Sequence, residues 1–329
     1  MHVQLSREEL LKPLSHVAAV VERRQTLPIL SNVLLSMHEG QLRLTGTDLE
    51  IELVAGVPLT AKAEGAITVP ARKLYDICRA LPAQAELDIR VEGAKARIQS
   101  GRSRFTLATL PAAEFPSVEG GEWQQQAEVA QQELKRLLDQ THFCMAHQDV
   151  RYYLNGLLLE FEGNRLRGVA TDGHRMAISE LSLNSEPGNR QAIVPRKGIL
   201  EITRFLGTSE SPVTISLSAN HIRASTDNMT LTSKLIDGRF PDYQQVLPAN
   251  YRRTVCVDRS ALREALGRTA ILANEKYRGV RLTVAPGVLT LTAQNPEQEE
   301  AHEELSIDYE GEQLEVGFNV TYEIGRAHV

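Results

Sequence analysis

Apolar residues at positions 10, 11, 14, 17, 18 and 21 give residues 6–21 the period of an amphipathic helix. Ser6 and Glu9 supply a capping box at its start, and Pro13 is its weak point. The period then changes. Residues 29–37 and 41–54 alternate as strands divided by a turn at Glu39-Gly40, and a short strand at 66–69 leads into a helix over 71–81. Strands follow near 86–91, 95–99 and 103–109. The succession then begins again. A helix is expected over 132–146, a strand over 150–161, a tight strand connection at Asp172-Gly173 and a loop over 182–189. A helix over 196–206 ends at Gly207 as its C′ residue, and strands run to about 236. It begins a third time with a helix over 259–273 and strands at 280–285 and 288–293.

The recurrence extends to residue identities. VPARKLYDICRAL (69–81) returns as VPRKGILEITRFL (194–206), with Val69 and Val194 125 residues apart. Phe115-Pro116 returns as Phe240-Pro241, and LRLTGTD (42–48) returns as LRGVATD (166–172) and LTLTAQN (289–295). A period this long marks a repeated domain, not a solenoid. The expected modules are 1–125, 126–250 and 251–322, with the first boundary in the polar stretch 117–129. Helices packed on one side of largely antiparallel sheets make an α+β fold. The third module is expected to be incomplete. EIGRAHV (323–329) breaks the repeat, and one reverse translation of it resembles a sequencing-adapter sequence. It is expected to be a non-native tail, with stability and peptide binding reduced accordingly.

Charge sharpens the picture. The chain carries a net −6, which argues against gripping nucleic acid over its whole surface but permits a local basic lining. Such a lining is visible: Arg72 and Arg79 share one helix face, and Lys197 and Arg204 occupy the matching places. Lys12 matches Arg136, and Lys135 matches Arg263. A phosphate-facing surface and an ordinary solvated helix face both fit these positions. HQDVRYYLNG (147–156) gathers Tyr152, Tyr153, Arg151 and amide donors, either to touch phosphates and stack on a base or as a strand with core tyrosines. Arg102 and Arg104 beside FTL (105–107) complement Ile271-Leu272 and the acids Glu297, Glu299, Glu300, Glu303 and Glu304. That suggests head-to-tail association, with an ordinary acidic loop as the other reading. Asp172 and His174 leave open a hydrolase, although no nucleophile motif accompanies them and Asp-Gly suits a turn. His142, Cys144 and His147 lack metal-ligand spacing, no phosphate-binding glycine loop occurs, and no cofactor or metal is expected. Cys78, Cys144 and Cys256 read as free, mostly buried thiols of a reducing compartment. No apolar run spans a membrane and no signal peptide is evident, so a cytoplasmic location is expected.

RQTLPILSNVLL, TGTDLE, MAHQDVRYYLNG, VATDGHRMA, VPRKG, DGRFPDY, NEKYRGVRL and NPEQEE, in this order and spacing, resemble the bacterial β sliding clamp family over residues 1–322. The resemblance implies a non-enzymatic processivity factor of the replicative DNA polymerase. It implies a head-to-tail homodimer ring of six modules around duplex DNA, without sequence preference, opened by a clamp-loader ATPase. It places DNA contacts at Arg24, Arg72, Lys73, Gln148, Tyr152, Tyr153, Arg196 and Lys197. It implies a cleft for linear peptides of the polymerase catalytic subunit and of other clamp-binding polymerases and repair proteins. Its residues are Leu154, Thr171, Gly173, His174, Arg175, Met176, Pro241, Val246, Asn319 and Tyr322. At the ring interface Phe105 and Leu107 would pack on Ile271 and Leu272, with Arg102 and Arg104 near Glu297, Glu299, Glu300 or Glu303. Gln245 and His302 depart from the family pattern, which usually has a basic and an acidic residue there.

Overall fold

The computed structural model describes residues 1–22, 27–59, 64–118, 120–247 and 253–326. The chain forms two compact units, Met1–Phe240 and Pro241–Val329. The first unit runs β1 (His2–Ser6), α1 (Arg7–Val20), β2 (Asn32–His38), β3 (Gln41–Thr47), β4 (Ile51–Pro58), β5 (Gly65–Pro70), α2 (Ala71–Ala80), β6 (Glu86–Glu92), β7 (Lys95–Ser100) and β8 (Ser103–Ala108). It then repeats the order with β9 (Gln125–Ala130), α3 (Gln131–Asp139), β10 (Gly156–Glu162), β11 (Arg165–Thr171), β12 (Met176–Ser182), β13 (Arg190–Pro195), α4 (Arg196–Phe205), β14 (Pro212–Leu217), β15 (His221–Ser225) and β16 (Met229–Lys234). The second unit contains α5 (Arg259–Thr269), β17 (Gly279–Ala285), β18 (Val288–Gln294), β19 (Glu300–Ser306), β20 (Leu314–Asn319) and α6 (Val320–Arg326).

Every sheet is antiparallel, and the repeat is plain in the strand orders. β4-β3-β2-β5, β12-β11-β10-β13 and β19-β18-β17-β20 are one arrangement used three times; β8-β7-β6-β1 and β16-β15-β14-β9 are another used twice. Inside the first unit the two arrangements fuse: β4 pairs with β16, Ala55 opposite Met229 and Ile51 opposite Ser233, to give one eight-stranded sheet. The polar stretch expected to separate the first two modules therefore holds β9, the far edge of that sheet, paired to β14.

α1 forms as its sequence dictates. Ser6 accepts a hydrogen bond from Glu9 N–H at 3.2 Å, and the Glu9 carboxylate accepts from Ser6 N–H at 2.8 Å. Leu10, Leu14, Val17 and Ala18 face the core. Glu39 and Gly40 both take positive φ, 50° and 76°, as a two-residue hairpin between β2 and β3 requires. A second core, with Ala265, Leu266, Val280 and Leu291, belongs to the second unit.

Local polar side chains override periodicity at several places. The strand expected over 41–54 breaks after Thr47, because Asp48 Oδ1 accepts the N–H groups of Glu50 and Ile51 at 2.9 and 2.8 Å. The helix expected over 132–146 stops at Asp139. Thr141 Oγ1 donates to Leu137 O at 2.7 Å, and His142–Cys144 form a 3-10 turn. The strand expected from 150 starts only at Gly156, because Tyr152–Asn155 form another 3-10 turn; Asn155 accepts from Asp149 N–H and donates to Asp149 O, both at 2.9 Å. Gly207 does not take a positive φ; α4 ends in extended backbone at Leu206, and Gly207 N–H donates to Gln131 Oε1 at 2.9 Å. The acidic run is a strand, β19, at a sheet edge. In the stretch expected to be a non-native tail, the helix α6 runs on to Arg326. Among the described residues no helix is long and apolar enough to cross a membrane.

Candidate nucleic-acid and peptide interfaces

Four helices of the first unit form one layer: α1 packs on α2 and α4, and α4 packs on α3. Apolar faces such as Leu74 and Cys78 on α2, and Ile199 and Ile202 on α4, are buried, which leaves the basic positions outward. Burial pushes the Cys78 thiol up to about 11, so it stays protonated and inert. Lys12, Arg72, Lys73, Arg79 and Arg136 are exposed. Arg72 and Lys73 make no ion pair among the described residues, whereas Arg79 pairs with Asp76 at 3.4 Å and Arg204 with Glu201 at 3.0 Å. Arg196 Nη1 donates to Met145 O at 3.3 Å. Burial lowers the pKa of His16, and the charges of Lys12 and Arg204 lower it further. Arg72 and Lys73 thus present cations that no ion pair among the described residues holds, on flexible stems suited to phosphates and not to base edges.

Lys197 stands apart from that set. Its ammonium donates to Val20 O at 3.1 Å, to Glu22 Oε1 at 3.1 Å and to Asp48 Oδ2. Burial alone would lower its pKa, but the hydrogen bonds and charges of Asp48 and Glu22 outweigh that and raise it. Arg24 lies outside the described residues.

The connection before β10 is an exposed ridge. Gln148 has φ 56° and is exposed; Tyr152 is 56% exposed and meets the half-buried Tyr153 edge-on, ring centroids 5.7 Å apart. A Cβ on Gly238 would lie 3.2 Å from the Tyr152 ring, so this glycine seats the tyrosine. Arg151 grips Asp149 through Nε at 3.0 Å and Nη2 at 2.8 Å, and also reaches Asp172 O at 3.3 Å. Its guanidinium holds the Asp149 carboxyl down to about 2. Periodicity gave no sign of this bracing role for Arg151.

The turn between β11 and β12 is tightly bonded. Thr171 Oγ1 donates to Arg175 O at 2.7 Å and accepts from Gly173 N–H at 3.0 Å. Asp172 Oδ1 accepts the N–H groups of His174 and Arg175 at 2.9 and 3.0 Å, and Oδ2 takes Arg175 Nε at 3.1 Å. Both oxygens of Asp172 are thus committed to shaping the turn, which undercuts the hydrolase reading. Gly173 has φ 86°, and a Cβ there would meet Arg151 Nη1 at 2.9 Å. His174 is exposed, Met176 half-buried and Leu154 buried. In the second unit Pro241 is exposed, Val246 is 70% exposed and Gln245 donates to Asp242 at 2.8 Å. There Asn319 Oδ1 accepts from Thr321 N–H at 3.0 Å, and Tyr322 is half-buried.

The two outer edges are chemically opposite. On β8, Arg104 is exposed beside the half-buried Phe105 and the buried Leu107, and Arg102 precedes the strand. On β19, Glu300, His302 and Glu304 are exposed while Ala301, Glu303 and Leu305 are half-buried. Ile271 is 77% exposed and Leu272 half-buried. Glu303 is already held by Arg268 at 2.7 and 2.8 Å, Glu299 by Asn295 at 2.6 Å and Glu304 contacts His302 at 3.3 Å, which among the described residues leaves Glu297 and Glu300 as the unengaged acids.

Residues 1–119, 128–242 and 244–325 match the N-terminal, central and C-terminal domains of the DNA polymerase III beta subunit. The chain is 59% identical over 324 residues to the beta sliding clamp of Pseudomonas putida, covering 98% of this chain and 88% of that protein. It is 50% identical over 325 residues to the beta sliding clamp of Escherichia coli, with the same coverage. Among solved structures, a sliding clamp from Pseudomonas aeruginosa bound to griselimycin superposes with a TM-score of 0.96 at 56% identity, over 100% of this chain and 89% of that one.

Proposed function

The chain belongs to the DNA polymerase III β subunit family, the bacterial sliding clamps, and from that premise we propose how its surfaces are used. It is a DNA sliding clamp: a processivity factor that encircles duplex DNA and tethers the polymerase, and not itself the catalyst. The proposed modules are 1–125, 126–250 and 251–322, and the proposed location is the cytoplasm. The helix layer faces the DNA, with Arg24, Arg72, Lys73, Gln148, Tyr152, Tyr153 and Arg196 touching phosphates and sugars; Lys197 is set apart from them.

One observation carries the ring. β4 joins β16 inside the chain, and each has repeats left at a sheet edge: β12 and β19 have the place of β4, and β8 that of β16. The same join made between copies adds β8 of one to β19 of the other, head to tail. Two such joins close a ring. Phe105 and Leu107 then pack on Ile271 and Leu272, and Arg102 and Arg104 meet Glu297, Glu299, Glu300 or Glu303. A closed ring cannot leave DNA sideways, so weak and salt-sensitive phosphate contacts suffice and the ring slides. The net −6 keeps the remaining surface from gripping DNA.

Partners dock through linear peptides. In the first unit the proposed peptide contacts are Leu154, Thr171, Gly173, His174, Arg175 and Met176; in the second they are Pro241, Val246, Asn319 and Tyr322. Tethering keeps the polymerase at high effective concentration beside the primer end. The test is retention. The clamp is loaded on a nicked circle by a clamp loader with ATP, and the circle is then cut. Loss on linearisation is expected; equal, salt-dependent retention on circles and linear DNA would refute encirclement.

A further inference from the structure

The three modules place one residue in one turn and give it different work. Asp48, Asp172 and Asn295 follow β3, β11 and β18, and each caps its turn with Oδ1. Asp48 accepts from the N–H groups of Glu50 and Ile51 at 2.9 and 2.8 Å, Asp172 from His174 and Arg175 at 2.9 and 3.0 Å, and Asn295 from Glu299 at 2.9 Å. The other side-chain atom distinguishes them. Asp48 Oδ2 receives Lys197 of the following module, and Asp172 Oδ2 receives Arg175 at 3.1 Å. Asn295 has Nδ2 there, a donor, and gives it to Glu299 at 2.6 Å.

Lys197 is the second residue of α4, after Val194-Pro195; Arg72 is the second residue of α2, after Val69-Pro70. Lys197 fastens α4 to the first module through Asp48, whose side chain is 6% exposed, and through Glu22 at 3.1 Å. In the head-to-tail ring, on which this inference rests, the partner subunit's first module stands to the third module as the second stands to the first. The partner subunit's Arg72 then faces Asn295, an amide donor where the internal junction has a buried carboxylate.

We propose that Lys197 is a fastener between modules rather than a phosphate contact, and that Asn295 leaves the chain-to-chain junction without this fastener. The junction between the first two modules is ionically bolted and the chain-to-chain junction is held by packing and exposed charges, which salt screens.

Reciprocal substitutions test it. Asp48→Asn keeps the Oδ1 cap but turns the acceptor into a donor, and Asn295→Asp does the reverse. Asp48→Asn is expected to speed hydrogen exchange in the β4–β16 ladder by about tenfold or more, since it removes the buried carboxylate partner of the half-buried Lys197 ammonium. Asn295→Asp is expected to lower the dimer dissociation constant by about tenfold, in the range measured for close charge pairs, and the gain should vanish when Arg72→Met is added. Lys197→Met should leave the salt slope of DNA binding unchanged, whereas Arg72→Met should reduce it by about 0.9. The proposal is overturned if Asn295→Asp leaves the dimer unchanged, if its gain survives Arg72→Met, or if Lys197→Met costs as much slope as Arg72→Met. A wild-type chain that stays monomeric at every concentration would instead remove the ring reading, and with it the chain-to-chain half. A loosened β4–β16 ladder in Asp48→Asn would still support the internal fastener.

Discussion

Asp149, a half-buried residue, titrates far from an ordinary aspartate because Arg151 grips both its oxygens. Its carboxyl is held down to about 2, so the pair is intact above the unfolded value near 3.9 and is lost as pH falls towards 2. An NMR titration should find that midpoint near 2, and Arg151→Ala should return it towards the ordinary range. Gly46 is a second decisive residue. A Cβ there would lie 2.7 Å from Val17 Cγ1 and 2.9 Å from Val17 O, so Gly46→Ala should cost about 1–3 kcal/mol in a denaturation experiment by forcing α1 off the sheet. Neither effect is legible in the sequence, because both depend on where a neighbour's backbone or guanidinium comes to rest. Lys197 makes the point best: it reads as one more member of a basic face, while its carboxylate partners lie 149 and 175 positions away along the chain. By contrast Arg72, which the repeat singled out, and Lys73, which the family resemblance added, are exposed and unpaired among the described residues.

Elements were readable where one periodicity acts alone. α1, α2, α4 and the hairpin strands β6, β7 and β8 fall close to the expected spans, because their apolar spacing meets no rival. The misjudged ends share a cause: Asp48, Thr141 and Asn155 each bond to nearby backbone and end or delay an element that hydrophobic pattern would extend. The capping box at α1 is the favourable use of that same chemistry. Ser6→Ala removes the acceptor for Glu9 N–H and should lower stability by about 1 kcal/mol, as measured by urea unfolding. β19 looked equally like a loop, since edge strands carry charge on purpose. Its row of glutamates keeps an unpaired ladder from accepting indiscriminate partners.

The architecture of the whole molecule was legible through its internal repeat, since recurring residues fix which strand plays which part. Pairing across modules was not, because nothing in a local pattern says that β4 and β16 share a ladder. The ring makes a strong demand on one exposed side chain. Ile271→Glu, at a position 77% exposed, should leave thermal stability within about 0.5 kcal/mol yet return the protein to monomer in analytical ultracentrifugation. A dimer that persists would contradict the proposed interface. The β4–β16 ladder also sets a timetable. On the ribosome β4 emerges long before its mate, with roughly 170 residues still to be added, a delay of about 10–30 s at common elongation rates. Throughout that interval a nascent strand of alternating apolar residues has one side bonded to β3 and the other open. The first module must therefore wait, unfinished, for the second to be translated, and synthesis that stalls between them would expose a sticky template to every neighbouring polysome.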